Sequence, residues 1–472
     1  MKQKWGILMA DFGKLIENVP DYKVFLTVDE MDAHTLALAE EYPDKVEVFK
    51  AGVSRGGHPI YCMKIGKGSK NAFMFGCPHP NEPMGAMMLE YFTRAITEDD
   101  DLRESLDYTW YIIKSIDVDG TQLNEKWFKG PFTLSNYARN YFRPAGYEQA
   151  EWTFPFNYKN YSFNDPIPET QVLMKIIDEV QPVFMYSLHN SGFGGTYWYL
   201  TKDLNPIWDK LYAASRRQNI PIHLGEPEVN YITPYAPAIF PMIEQEATYD
   251  YYEKFSDVPP ETLMNAGASS SSYAKKYGTV TLVTELPYFF EQRIQSDKEM
   301  PFTRREAALK RNDFYHQNYQ DVKVYYNQVK HLISPDNPFA KMVEVSIQYD
   351  EGNYGAEKAF IETNEEYAVP CKESEAFDNL DLPKFFALFM WTLTIRSCEH
   401  ELGKNHDEAD KKLLAKVHDE CEAEFAKRAQ VVEADINYEV TPIKKLVSIQ
   451  LESGMIVADY LNTLSKGDLE NG

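Results

Sequence analysis

The sequence predicts an α/β fold, a central β-sheet with helices on both faces, followed by a mostly helical C-terminal extension. Three observations carry this. Short runs rich in β-branched and aromatic residues recur at 46–49, 60–65, 72–75, 108–113, 183–188, 197–200 and 279–284, bounded by Gly or Pro. Between them, apolar residues recur at intervals of three and four over 30–42, 84–96, 169–180 and 204–218, which is the period of a helix. After Pro301, long charged helical patterns take over at 304–333, 384–401 and 408–432, around a less regular segment at 342–372.

Each element has a local reason. The strand runs are continuously apolar, without strict alternation, as expected of a sheet buried on both faces. Strands that alternate with helices imply crossover connections and a layered domain. The α/β domain is therefore assigned to residues 1–300 and the helical extension to 301–472. The serine run at 269–272 is too short for a linker and reads as a turn.

Bulk composition narrows the function. A chain of 472 residues that is 44% hydrophobic can bury an enzyme-sized core and still build an appended unit. Its 48 Lys and Arg against 72 Asp and Glu leave a net charge of −24, which repels phosphate backbones and anionic lipid surfaces. No nucleic-acid or membrane partner is expected. Five widely spaced cysteines, Cys62, Cys77, Cys371, Cys398 and Cys421, contain no C-x-x-C pair and point to a reducing compartment. Lys2 and Lys4 precede an apolar run that Asp11 stops short of signal-peptide length. The apolar stretch at 385–395 falls short of the ~20 residues of a membrane helix. A cytoplasmic protein is expected.

The chemistry gathers at strand ends. The run at 72–75 leads into Gly76-Cys77-Pro78-His79-Pro80-Asn81-Glu82-Pro83, a strand-to-helix loop stiffened by three prolines. Ligands of α/β sheets bind outside the carboxyl ends of strands, so His79 and Glu82 project into the expected crevice. A His-x-x-Glu alone recurs by chance and equally fits a helix-capping turn. What changes its meaning is His189, which ends the apolar run 183–188 and precedes Asn190-Ser191-Gly192-Phe193-Gly194-Gly195. Three N and O ligands, His79, Glu82 and His189, with a fourth position left to water, make the pattern of a catalytic zinc site. Glu285 ends a third apolar run, where an unused carboxylate would be costly. It is the candidate general base, taking a proton from the attacking water and passing it to the leaving amine.

On these residues the chain resembles the M14 family of zinc metallocarboxypeptidases, over roughly residues 25 to 290. His79-Pro80-Asn81-Glu82 matches that family's His-x-x-Glu zinc motif, His189 falls where its third ligand is expected, and Glu285 in Thr284-Glu285-Leu286 falls where it keeps its catalytic glutamate. Asp117-Val118-Asp119-Gly120 resembles its Asn-Pro-Asp-Gly turn, and Pro168-Glu169-Thr170 a segment that opens a helix. The resemblance implies a mixed central sheet, one zinc ion per chain, and hydrolysis of an amide bond in a peptide or small peptide-like substrate. It also implies an arginine that polarises the scissile carbonyl; Arg143 is preferred, and Arg139 is kept as a second candidate near the substrate.

Departures from the family pattern touch specificity. The family's Asn-Arg pair, which receives a terminal carboxylate, has its best match at Asn157-Tyr158, with Lys159 as the substitute cation. A lysine ammonium does not reproduce a bidentate guanidinium. The aspartate that braces a zinc-binding histidine is missing, leaving Asp117 or Asp119 as candidates, and the family's tyrosine upstream of the catalytic glutamate falls near Met264. These departures keep two further readings open: an amidohydrolase of N-acyl amino acids, of the desuccinylase and aspartoacylase type, and a zinc-binding protein without catalysis. His400-Glu401 with His406-Asp407 lacks the spacing of H-E-x-x-H and reads as a solvated inter-helix loop, and His223 reads as a satisfied histidine.

Overall fold

A computed structural model of the chain describes residues 12–464. The N-terminal lysines and the apolar run before Asp11 lie outside the described residues. Eight strands form the main sheet: β1 (Val46–Val53), β2 (Pro59–Ile65), β3 (Lys70–Phe75), β4 (Tyr108–Ile113), β5 (Phe184–Leu188), β6 (Tyr197–Leu200), β7 (Ile239–Pro241) and β8 (Val280–Glu285). Their order across the sheet is β1-β2-β4-β3-β5-β8-β6-β7. The sheet is mixed, with β1, β2 and β4 pairing antiparallel, β4, β3, β5 and β8 parallel, and β8 with β6 antiparallel.

Burial on both faces accounts for the continuous apolar strands. On one face Phe73, Phe75, Ile113 and Met185 join Leu173, Ile176 and Ile177 of the helix Pro168–Val180. On the other, Met74, Trp110, Leu188 and Leu282 share one apolar cluster with Leu89 and Phe92 of the helix Met84–Glu98. Helix starts follow local chemistry. Thr27 and Glu30 form a reciprocal capping box before Val28–Glu41, and Thr303 and Glu306 do the same before Arg304–Val329.

The region after residue 300 departs from expectation in two ways. The segment 342–372, expected to be less regular, is largely a helix of 26 residues, Pro338–Thr363. Gly352 and Gly355 weaken its intrinsic propensity, but Val343, Ile347, Asp350, Ala356 and Phe360 fall on one buried stripe, and packing outweighs propensity. The final helix, Ile443–Thr463, returns to the sheet, where Leu446, Leu451 and Met455 belong to the same apolar cluster as β3, β5 and β8. Its polar groups also reach the strands: Tyr108 Oη donates to the carbonyl of Ala458 at 2.9 Å, and Trp198 Nε1 donates to Ser453 Oγ at 3.0 Å. Glu401 is buried near the end of its helix, whereas the loop that follows it, 403–407, is mostly exposed, as expected. Glu401 accepts from Ser334 and from Asn337 Nδ2 at 2.8 Å, and its other oxygen lies 3.1 Å from His406 Nε2. Among the described residues no helix is long and apolar enough to cross a membrane.

Gly454 marks how closely the final helix sits on the sheet, because a Cβ there would lie 2.7 Å from Tyr186 Cε1 on β5. Gly454→Leu should therefore lower stability by about 1–3 kcal/mol through overpacking, read as a lower midpoint in thermal unfolding. An unchanged midpoint would mean that the helix is not seated on β5.

Candidate active site

The site follows from strand register. β3, β5 and β8 lie side by side and parallel, with Phe75 opposite Ser187 and Leu188 opposite Thr284. His189 and Glu285, each one residue beyond a paired position, therefore emerge together at the carboxyl edge. The loop after β3 joins them by a tight path. Cys77 adopts φ +50°, uncommon for a residue with a Cβ, and the Glu82 N–H donates to the His79 carbonyl at 3.0 Å. That turn brings the His79 and Glu82 side chains to one side. A Cβ on Gly85 would collide with Leu188, so the helix that follows Glu82 packs directly against the strand that bears His189.

The side chains converge. His79 Nδ1 lies 3.1 Å from Glu82 Oε1, and His189 Nδ1 lies 3.1 Å from Glu82 Oε2 and 3.7 Å from Glu285 Oε1. The donor atoms of His79, Glu82 and His189 all fall within 4.8 Å of one another, and all three residues are buried. Asn190 N–H also donates to Glu82 Oε2, at 3.3 Å. Burial, with the Arg143 guanidinium next, pushes the His79 imidazole down to about 3, so it is neutral with a lone pair to offer. Burial opposes ionisation of Glu82, yet the two imidazoles hold it below the usual carboxylate range. Burial raises Glu285 well above that range, and the carboxylates of Glu82 and Glu228 add to the effect.

The donor set fits a zinc ion. His189 Nδ1 and Glu285 Oε2 are buried without a hydrogen-bond partner, a costly state for polar atoms unless something further engages them. Two imidazoles and an ionised carboxylate are zinc ligands in type and number, with room for a fourth group. Behind His189 a chain of hydrogen bonds fixes the ring: Nε2 lies 2.9 Å from Ser187 Oγ, which donates to Glu151 Oε2 at 3.2 Å, and Glu151 is anchored by Ser270 Oγ at 2.7 Å. With the His189 proton on Nε2, its Nδ1 faces Glu82 as a ligand. Asp117 and Asp119, expected to brace a histidine, do not reach one. Asp117 Oδ1 caps a helix through Gly120 N–H, and Asp119 accepts from Ser54 and Gly56, so neither carboxylate is paired with a histidine.

Arg143 enters the site, its Nη2 2.8 Å from His79 Nε2 and its Nη1 3.5 Å from Glu82 Oε1. The other expected substrate contacts are placed elsewhere, and none lines the cavity. Asn157 and Lys159 sit on an exposed hairpin, where Asn157 accepts from Ser162 and the Lys159 ammonium is tied to Asp250 at 2.7 Å and Glu253 at 2.6 Å. Arg139 is drawn away by Glu399 and Glu422 of the extension. Met264 is a buried core residue, whereas Tyr251 and Tyr252 reach the cavity from the helix Gln245–Phe255. His223 lines the cavity and is also satisfied, by the Glu226 carbonyl at 3.1 Å and Asp378 at 3.3 Å.

The cavity encloses about 530 Å³ in front of the metal ligands. Its far wall comes from the extension, through Arg311, Tyr315, Tyr349, Asn353, Glu357 and Asp378. Sequence reasoning missed this wall, together with Ser187 and Glu151. Ser187 carried a signal, since it lies two residues before His189 on a strand and so faces the same side. Glu151 and the wall residues carried none.

Comparison with known proteins agrees with this geometry. The family model Peptidase_M14, zinc carboxypeptidase, matches residues 31–284, and the chain belongs to that family. The family is one of zinc carboxypeptidases, and His79, Glu82 and His189 form a group able to hold one metal ion. Similar solved structures include thrombin activatable fibrinolysis inhibitor, at 14% identity over 41% of this chain and 54% of that one, with a TM-score of 0.28. Carboxypeptidase A from Helicoverpa armigera is similar at 17% identity over 56% of this chain and 65% of that one, with a TM-score of 0.37. A third is the murein-tripeptide amidase MpaA from Escherichia coli O157, at 15% identity over 56% of this chain and 89% of that one, with a TM-score of 0.26. The chain thus spans less than two thirds of the first two. No curated protein sequence matches the chain.

The hydrogen-bond chain behind His189 yields a prediction. Ser187→Ala and Glu151→Gln should each weaken zinc affinity about 10- to 100-fold, measured by competition with a chelating dye. Native affinity in both variants would deny the chain any part in orienting the ring.

Proposed function

We propose that the protein hydrolyses an amide bond in a short peptide or peptide-like substrate, with His79, Glu82 and His189 holding zinc, Glu285 as general base and Arg143 as the group that polarises the carbonyl. The observation that carries this reading is the meeting of all five side chains at one cavity, between the ends of three parallel strands. A bound zinc ion would supply Lewis acidity, lowering the pKa of the attacking water. The chain's own residues do the rest. Glu285, ionised, accepts the water's proton as oxygen adds to the carbonyl carbon, and delivers that proton to the amine as the C–N bond breaks. Arg143, beside the metal ligands, is positioned to donate to the oxygen that gains charge in the transition state. His189 is kept in one orientation by Ser187 and Glu151.

A cavity of about 530 Å³ suits a short substrate. Arg311 is the other arginine of its lining, and Glu357 neutralises it at 2.8 Å. The absence of Asn157 and Lys159 from the lining is the observation that favours a second reading, hydrolysis of N-acyl amino acids. Release of C-terminal residues from a short-peptide library, beside inertness toward N-acyl amino acids, would support the peptidase reading, and the reverse would support the second. Five free, buried cysteines support a reducing compartment as the setting.

Glu285→Gln should lower kcat by about 10²- to 10⁴-fold while zinc content stays at one per chain, measured by steady-state turnover and metal analysis. The base must be deprotonated to act and its folded pKa is raised, so kcat/KM should fall as pH drops through a limb above the ordinary ~4.3 of a glutamate. A pH profile flat down to that value, or full activity in Glu285→Gln, would remove Glu285 from the role.

A further inference from the structure

The cavity wall carries more acid than the catalytic centre uses. Glu82, Glu285 and Glu151 belong to the metal site or to its support. Of the others lining the cavity, Glu226 is held by Arg304 Nε at 2.9 Å, Glu357 by Arg311 Nη2 at 2.8 Å, and Asp378 lies 3.3 Å from His223 Nε2. Glu228 differs. Its Oε1 accepts from Tyr197 Oη at 2.6 Å, and among the described residues no Lys, Arg or His forms an ion pair with it. Glu228 is exposed and lines the cavity, held there by the tyrosine bond.

A second, independent feature asks for the same kind of ligand. Asn353, on the helix Pro338–Thr363, is only 8% exposed and lines the cavity, and its Oδ1 is a buried acceptor without a partner. Its Nδ2 is already committed to Glu357 Oε2 at 3.4 Å. The Glu228 segment and this helix meet through Asn230, whose Nδ2 donates to Glu357 Oε1 at 3.3 Å. Two acceptors thus line the cavity without a cationic partner, the Glu228 carboxylate held by tyrosine and the unpartnered Asn353 Oδ1. Tyrosine rings of Tyr199, Tyr231 and Tyr349 line the space around them and offer π faces and apolar area. A group that suits all three demands is a cation with several N–H donors on an apolar stem.

We propose that this wall is a recognition site for a positively charged side chain of the substrate, an ammonium or guanidinium, with Glu228 as the specificity-determining residue and Asn353 as a supporting acceptor. The inference rests on the peptide-hydrolysis reading, and it names the substrate's charge. Tyr197, whose hydroxyl holds Glu228, is paired with Glu285 across neighbouring strands, so the recognised side chain belongs to a residue beside the scissile bond. The net charge of −24 draws such substrates toward the protein as a whole but does not select among positions.

The test uses the full-length, zinc-loaded protein and tripeptides that carry lysine, norleucine or glutamate at the last or the penultimate position. Lysine and norleucine share an aliphatic stem and differ in the ammonium. The wild type should prefer lysine over norleucine by about tenfold or more in kcat/KM, chiefly through KM. Glu228→Gln should bring that ratio close to one, and Glu228→Lys should turn the preference toward glutamate. A ratio near one in the wild type, or a lysine preference that survives both substitutions, would overturn the proposal. Calorimetric titration of the same peptides into the zinc-loaded Glu285→Gln protein separates this outcome from a failure of hydrolysis. Lysine-selective binding lost in Glu228→Gln/Glu285→Gln supports the site even if no peptide is cleaved, and equal binding of lysine and norleucine peptides overturns it.

Discussion

The parallel register of β3, β5 and β8 is the constraint on which the rest of the molecule depends. Parallel neighbours end on the same edge, so the loop after β3 and the ends of β5 and β8 deliver their polar residues to one place. The cost is the burial of Glu82 and Glu285 within a few ångströms of each other. Glu82 meets it by sitting between two imidazoles and a backbone N–H. Glu285 has no such shelter, and its raised pKa is the result. The contrast suits their roles, since a ligand should stay ionised whereas a base should bind and release a proton near working pH.

What the sequence disclosed follows from how local each signal is. The strand ends at His79, His189 and Glu285 were legible because an apolar run that stops at a single polar residue is a one-dimensional pattern. Asn157 and Lys159 were assigned by matching a short motif whose meaning depends on where a hairpin points, and that hairpin turns toward Asp250 and Glu253. The helix Pro338–Thr363 had its buried stripe at a spacing of three and four, masked by two glycines and two tyrosines. Ser187 was recoverable from strand alternation. Glu151, Glu228 and Arg311 were not, because their relation to the site exists only after residues far apart in the chain are packed together.

The extension is part of the same machine as the sheet. Its helices Arg304–Val329 and Pro338–Thr363 wall the cavity with Arg311, Asn353 and Glu357, and its last helix covers the face of the sheet opposite Pro168–Val180. Arg139 is recruited by Glu399 and Glu422 of the extension, so a residue expected near the substrate serves instead to tie the two regions together. Arg396 strengthens that tie by donating to the carbonyls of Leu123, Asn140 and Tyr141, just before Arg143. The position of the carbonyl-polarising arginine is thus set in part by the extension.

Gln450 carries this dependence to the metal ligand itself, donating from Nε2 to the His189 carbonyl at 3.2 Å across 261 residues of sequence, while its own carbonyl accepts from Tyr186 Oη at 2.8 Å. During synthesis the chain emerges N-terminus first, so the strand that bears His189 leaves the ribosome long before the helix that braces it. At about 5–20 residues per second, that interval is on the order of tens of seconds. Throughout it the nascent chain has His79, Glu82 and His189 but not the brace behind His189, and the order of translation holds the finished centre back until that helix has emerged.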